Sequence, residues 1–151
     1  RNFLLLGTGL GSALKILQQK YDLYPDTILV DHDKEILDMS MNYMGLNSRK
    51  NVQWHYGDAI IFLGQCRQSF DLIGVDLFHD MMNPKDFKQS SFFSLCNSKL
   101  NNGGHCIFNM ILSSTNEKKI IFERLEENFD EVRVIHFKVN SFYICRRGAR
   151  S

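Results

Sequence analysis

No apolar run in this chain is long enough to span a bilayer, and the first apolar stretch breaks into glycines after Leu6 instead of running on to a cleavage site. Neither a membrane anchor nor a secretory leader is expected within it, and a cytoplasmic protein is the plain reading. Excess charge is lacking as well. The 18 Lys and Arg residues against 17 Asp and Glu leave a formal charge of +1, which obliges no polyanionic partner and argues against nucleic acid. The basic residues Arg146, Arg147 and Arg150 read as a solvated end of the chain. Cys66, Cys96, Cys106 and Cys145 lack CxxC or zinc-ligand spacing, and the five histidines contain no HExxH pair, so no metal site is expected. The thiols read as free, buried and reduced. Repeats, low-complexity tracts and linkers are missing too. The 151 residues therefore read as one domain, with room for a native segment ahead of Arg1 because the chain starts almost inside its first strand. Self-association is left open.

What the chain does contain is an alternation of short apolar runs and amphipathic stretches. Phe3 to Leu6, Thr27 to Asp31, Val52 to Tyr56, Phe70 to Asp76 and the run His105-Cys-Ile-Phe-Asn-Met-Ile111 read as strands. Between them, Gly11 to Tyr21 reads as a helix with Leu14, Leu17 and Tyr21 on one face. A second helix, capped by Asp33, carries Ile36, Leu37, Met41 and Met44 and ends at Gly45. A short helix starts at Asp58, and another stacks Phe92, Leu95, Cys96 and Leu100. "NNGG", Asn101 to Gly104, reads as a turn, and Ser114 with Glu117 fits a capping box for a last helix. Such alternation predicts an α/β fold, a mostly parallel sheet with helices on both faces. The final segments, "EVRVIHF" and "SFYICR", are joined too closely for a parallel crossover and must pair antiparallel.

Chemistry is carried by the turn after the first strand. Gly7, Gly9 and Gly11 let the backbone bend sharply and leave a ligand room to approach. A dinucleotide fingerprint would place its last glycine at position 12, where this chain has Ser12, so an oxidoreductase ranks last. Asp31 stands at the end of the second strand, about twenty residues past the glycines, where an acid can accept both ribose hydroxyls of an adenosine. Asp76 ends the fourth strand at the carboxyl edge of the sheet, where open α/β folds bind ligands. Each aspartate alone could be a helix cap or a turn residue. Three such acids at successive strand ends, Asp58 after the third strand being the other, are poorly explained by capping.

The G-x-G-x-G spacing and the reversed last strand resemble the class I S-adenosylmethionine-dependent methyltransferase superfamily, with its Rossmann-like seven-stranded sheet. Within it, "LLLGTGLG", "VDHD", "GDA", "FDLIGVDLFHD" and "FF…L…GGHCIFN" look most like the spermidine synthase-like branch. That resemblance implies S-adenosylmethionine, or its decarboxylated form, held by Gly7, Gly9, Gly11, Asp31, His32, Asp58, Ala59 and Asp76. Asp58, in the "GDA" step with Ala59, would receive the adenine amino group, and His32 could pack flat on adenine. Two features depart from polyamine-forming members. The acids of the loop "DLFHDMMNP" are one residue further apart, and no Pro-x-Gly-Pro run follows them. Those members also carry an amino-terminal strand domain that helps cover the active site, and this sequence starts after the place it would take.

The expectation is a small-molecule methyltransferase acting on an amine or hydroxyl acceptor. Aminopropyl transfer from the decarboxylated cofactor is the alternative, and a non-catalytic cofactor-binding or interaction module is the second. Asp76 would serve as base or acceptor-orienting group, with Asp80 and His79 as substrate contacts on a loop able to close over the ligand. Asn109, on the fifth strand, could line the pocket, but it reads first as a hydrogen-bond partner for a neighbouring loop.

Overall fold

A computed structural model describes residues 1–8, 12–43, 45, 49–78 and 83–148. Five parallel strands come first in the chain: β1 (Asn2–Leu6), β2 (Asp26–Asp31), β3 (Val52–Tyr56), β4 (Phe70–Val75) and β5 (Leu100–Ile111). Helices α1 (Ser12–Tyr21), α2 (Lys34–Tyr43), α3 (Ala59–Gln65) and α4 (Ser90–Ser98) connect them. A 3₁₀ turn, Lys85–Lys88, precedes α4. Then α5 (Thr115–Glu126) leads to β6 (Glu131–Phe137) and β7 (Asn140–Arg146). The sheet order is β3-β2-β1-β4-β5-β7-β6. The expected antiparallel pair is present, and the last strand in sequence is not the last in space. β7 inserts between β5 and β6, antiparallel to both.

Because side chains alternate across each strand, one sequence run serves two cores. Leu4 and Leu6, Val30, Ile73 and Val75, and Cys106, Phe108 and Met110 face a layer built by α3, α4 and α5. Phe93 and Phe108 meet edge to face there, with ring centroids 5.1 Å apart. The opposite face, with Phe3, Leu5, Leu29 and Val52, packs a smaller cluster against Leu14 of α1. Tyr21 does not join it. It lies at the helix end and is 55% exposed, and the inward turn of α1 is completed by Gln18 instead. Cys96, Cys106 and Cys145 are free and buried, acting as small apolar groups.

The "NNGG" stretch is strand rather than turn. β5 already pairs with β4 at Leu100, the register shifts between Phe70 and Leu72, and Gly103 takes up the irregularity with φ +74°. A bulge of this kind absorbs residues without ending the ladder. Ser114 caps α5 as expected, its Oγ accepting from Glu117 N at 3.1 Å. The Glu117 carboxylate bonds Ser113 N and Ser113 Oγ, and it takes Lys88 Nζ at 2.8 Å. Those contacts, with Arg124 donating to Lys88 O, tie the end of the loop after β4 to α5. No helix among the described residues is long and apolar enough to cross a membrane.

Candidate active site at the carboxyl edge of the sheet

Three strand ends meet at one corner. The chain leaves β1 at Gly7, whose N–H donates to Val30 O of β2 at 2.9 Å. Leu6 O accepts from Asp76 N just beyond β4 at 2.8 Å. Gly7 adopts φ +80°, and a Cβ on it would lie 2.2 Å from the Asp76 carbonyl oxygen. Glycine is thus required here by the closeness of β4, as well as by the left-handed bend. The room expected for a ligand is filled at this first glycine by backbone. Gly9 and Gly11 lie outside the described residues.

Asp31, at the end of β2, is nearly buried, with 8% of its surface exposed. Its Oδ2 accepts from Thr8 N at 2.7 Å and its Oδ1 from Asp33 N at 3.0 Å. An ionised carboxylate offers about four lone-pair positions, so, among the described residues, about two are left for other donors. The acid is thereby clamped against the glycine turn with accepting capacity left over. The exposed His32 ring stands beside it, Nδ1 3.6 Å from Asp31 Oδ1. Thr8 Oγ1 is buried within the turn with no partner among the described residues. Asp33 caps α2, its Oδ1 accepting from Glu35 N and Ile36 N.

Asp58 follows β3 and caps α3, with Oδ1 accepting from Ile61 N at 2.9 Å, and its side chain is otherwise exposed. Ala59 begins the helix and is buried. β3 is joined to this corner through Gly57 N, which donates to Asp31 O at 2.9 Å.

Asp76 differs from Asp31 in its surroundings. The residue is exposed at the sheet edge, yet protein atoms crowd its carboxyl, and that desolvation raises its pKa above the ordinary value. A hydrogen bond from Asn109 Nδ2 to Oδ1, 2.8 Å, works in the opposite direction and is the weaker influence. The expected loop contact of Asn109 is also present, because its backbone oxygen accepts from Asn83 Nδ2 at 3.2 Å.

Asn83 was not legible as a site residue. It is 6% exposed, donates to Leu77 O at 2.8 Å, and accepts from Ile111 N at 2.8 Å. It pins both sides of the loop after β4 to β5. An asparagine just before Pro84, closing an acidic loop, was the one available signal. His79 and Asp80 lie outside the described residues. A groove of about 960 Å³ opens at the other end of the strands, lined in part by Arg1, Phe3, Leu17, Asp71, Leu72 and Ile144, and it includes none of Asp31, Asp58 and Asp76.

Residues 1–146 match the spermine/spermidine synthase domain. The chain belongs to that family. A probable polyamine aminopropyl transferase of Bifidobacterium longum (strain NCC 2705) is 29% identical over 117 residues, 78% of this chain and 26% of that protein. The chain thus spans about a quarter of that relative's length. Among solved structures, human methyltransferase-like protein 13 in complex with SAH superposes with a TM-score of 0.84 at 21% identity, covering 97% of this chain and 71% of that one. A probable spermidine synthase from Corynebacterium glutamicum ATCC 13032 gives 0.83 at 22% identity, covering 96% and 55%. These likenesses establish the Rossmann-like methyltransferase fold. The candidate site of this chain is the corner where β1, β2 and β4 meet.

Proposed function

We propose that this chain is the cofactor-binding domain of an aminopropyltransferase, which joins the aminopropyl group of decarboxylated S-adenosylmethionine to a small amine acceptor of polyamine type. The observation that carries this reading is the convergence at one corner of the glycine turn, a clamped acid (Asp31) and a half-tethered acid (Asp76). Family membership and the curated relative favour aminopropyl over methyl transfer.

The residues present fit an adenosyl group. Asp31 keeps acceptor capacity toward a ribose diol, and the unpartnered Thr8 hydroxyl stands in the same turn. His32 and Asp58 flank the place an adenine would take. When bound, the cofactor supplies an electrophilic carbon on a sulfonium centre, which leaves as a neutral thioether. The protein's own task is to hold the acceptor in line behind that carbon and to take a proton. With the cofactor held against Asp31 and Thr8, the acceptor's amine nitrogen would take that carbon, the new C–N bond replacing the C–S bond, whose electron pair would stay on sulfur. The surplus proton passes from nitrogen to Asp76. Asp76 suits this because Asn109 bonds one carboxylate oxygen and leaves Oδ2 for the acceptor. Its raised pKa makes it a better base than an ordinary carboxylate. Asp80 and His79 are assigned to the acceptor's cationic tail.

Methyl transfer is the second reading, favoured by the superposition on methyltransferase-like protein 13 and by the missing Pro-x-Gly-Pro run. Thermal-shift titration with S-adenosylmethionine, its decarboxylated form and NAD separates the readings. Stabilisation by the decarboxylated cofactor is expected; a preference for the carboxylated one moves the assignment to methyl transfer, and a response to NAD alone ends both. Asp76→Asn should then lower turnover about 10²–10⁴-fold without lowering the unfolding midpoint. Unchanged turnover would remove Asp76 from the role of base.

A further inference from the structure

Asn140 opens β7, two strands away from Asp76, and no motif marks it. It is nevertheless the end of a hydrogen-bonded row that reaches the carboxylate. Asn109 of β5 stands opposite Phe142, so Asn140 lies diagonal to it across the ladder, within reach of a side-chain contact. Asn140 Nδ2 donates to Asn109 Oδ1 at 2.7 Å, and Asn109 Nδ2 donates to Asp76 Oδ1 at 2.8 Å.

The polarity of that row has a chemical consequence. A primary amide has an accepting end and a donating end, and it can turn over by rotating its terminal torsion. An ionised Asp76 cannot donate, so it bonds Asn109 only if the NH₂ faces it. In the reversed orientation the Asn109 carbonyl would face Asp76, an arrangement that favours the protonated acid. Asn140 occupies the carbonyl end of Asn109 with a donor, which matches the first orientation. The Asn109 main chain is held separately, since its backbone oxygen takes Asn83 and the nearby Ile111 N–H is bonded by the same side chain. The remaining freedom is therefore the amide's own rotation.

We propose that Asn140 is a positioning residue: it orients the Asn109 amide so that Asp76 stays ionised, with Oδ2 open toward the acceptor. The catalytic part of this statement rests on Asp76 being the base; the control of its ionisation does not. Other charged groups at this edge, among the described residues, are Asp31, His32 and Asp33 beyond β2, Asp58 beyond β3 and Lys138 in the β6–β7 turn; His79 and Asp80, next in sequence, lie outside the described residues. No ion pair of Asp76 occurs among the described residues. The β1 and β5 residues packed against it, Leu6, Gly7 and Asn109, carry no charge.

The test is a ¹³C-carboxyl NMR titration of Asp76, with its resonance assigned by loss in Asp76→Asn. Asn140→Ala, Asn140→Asp and Asn140→Gln are compared with the parent protein. The position is half-buried at a hairpin end, and an amide spectrum reports whether each variant keeps the fold. The Asp76 midpoint should rise by about half to one pH unit in the Ala and Asp variants and stay near the parent value in Gln, which keeps a donor. The acid limb of the turnover profile should move with it. An unmoved midpoint in both Ala and Asp variants overturns the proposal, as does an equal rise in all three. If Asp76→Asn retains turnover, the assignment of the base fails, while the titration still decides what Asn140 does.

Discussion

The two ends of β4 carry the same residue type with pKa values displaced in opposite directions. Asp71, near the start of the strand, accepts from Asn2 N at 2.9 Å and from Asn101 Nδ2 at 2.7 Å, and these donors lower its pKa. Asp76, just past the other end, has one amide partner among the described residues, and crowding outweighs it, raising its pKa. The first carboxylate sews β4 to its neighbours β1 and β5. The second is left short of partners where a substrate could supply them. At the amino edge the carboxylate is spent on joining strands, and at the carboxyl edge it keeps capacity that a ligand could use.

Asp31 refines the contrast, since it is well bonded and still sits at the carboxyl edge. Both of its oxygens take main-chain N–H groups, so its partners set its orientation. We assign it to holding the nucleoside and Asp76 to moving the proton. A group that binds by accepting hydrogen bonds benefits from being immobile, and a base benefits from a raised pKa.

The largest expected disturbance comes from Gly7→Ala, which strikes the corner joining all three strands. The left-handed backbone and the contact with the Asp76 carbonyl together should cost about 2–5 kcal/mol in a denaturant melt. A loss below about 1 kcal/mol would show that β4 can withdraw from the turn. Next comes Asp31→Asn, in which one main-chain donor loses its partner and the ribose loses a charged acceptor. Cofactor affinity should fall about 10- to 100-fold by calorimetry, with smaller change in turnover at saturation. An equal fall in saturated turnover would blur the division of labour between the two acids.

The smallest effect separates the ends of β4 by pH. Asp71 has a lowered folded pKa, so its contribution is present above the ordinary value of 3.8 and is lost as pH falls through the lowered one. Asp76 has a raised folded pKa, so its contribution is full below 3.8 and is lost as pH rises through the raised one. Unfolding free energies of Asp71→Asn and the parent should differ by under about 1 kcal/mol at neutral pH and converge in acid. Asp76→Asn should match or exceed the parent at neutral pH. Matching pH dependences for both variants would remove the contrast.

Much of the site was legible because β/α alternation places the residue after each strand at one edge of the sheet. Asp31, Asp58 and Asp76 were readable in that way. What each carboxylate touches was not. The closeness of Gly7 to Asp76 depends on β1 lying beside β4, a pairing between segments some seventy residues apart in the chain. Asn83 and Asn140 had no spacing signal, because their partners are distant in sequence. Tyr21 went astray for another reason: helical periodicity gives a face, and it cannot say where the sheet beneath that face ends.

Local pattern alone determined the parallel α/β class, the reversed hairpin and the roster of acids at the strand tips, since side-chain period and turn chemistry act over a few neighbouring residues. Tertiary structure alone decided which carboxylate is immobilised and which is left a stronger base. Hydrogen-bond partners and desolvation arise from groups that only folding brings together.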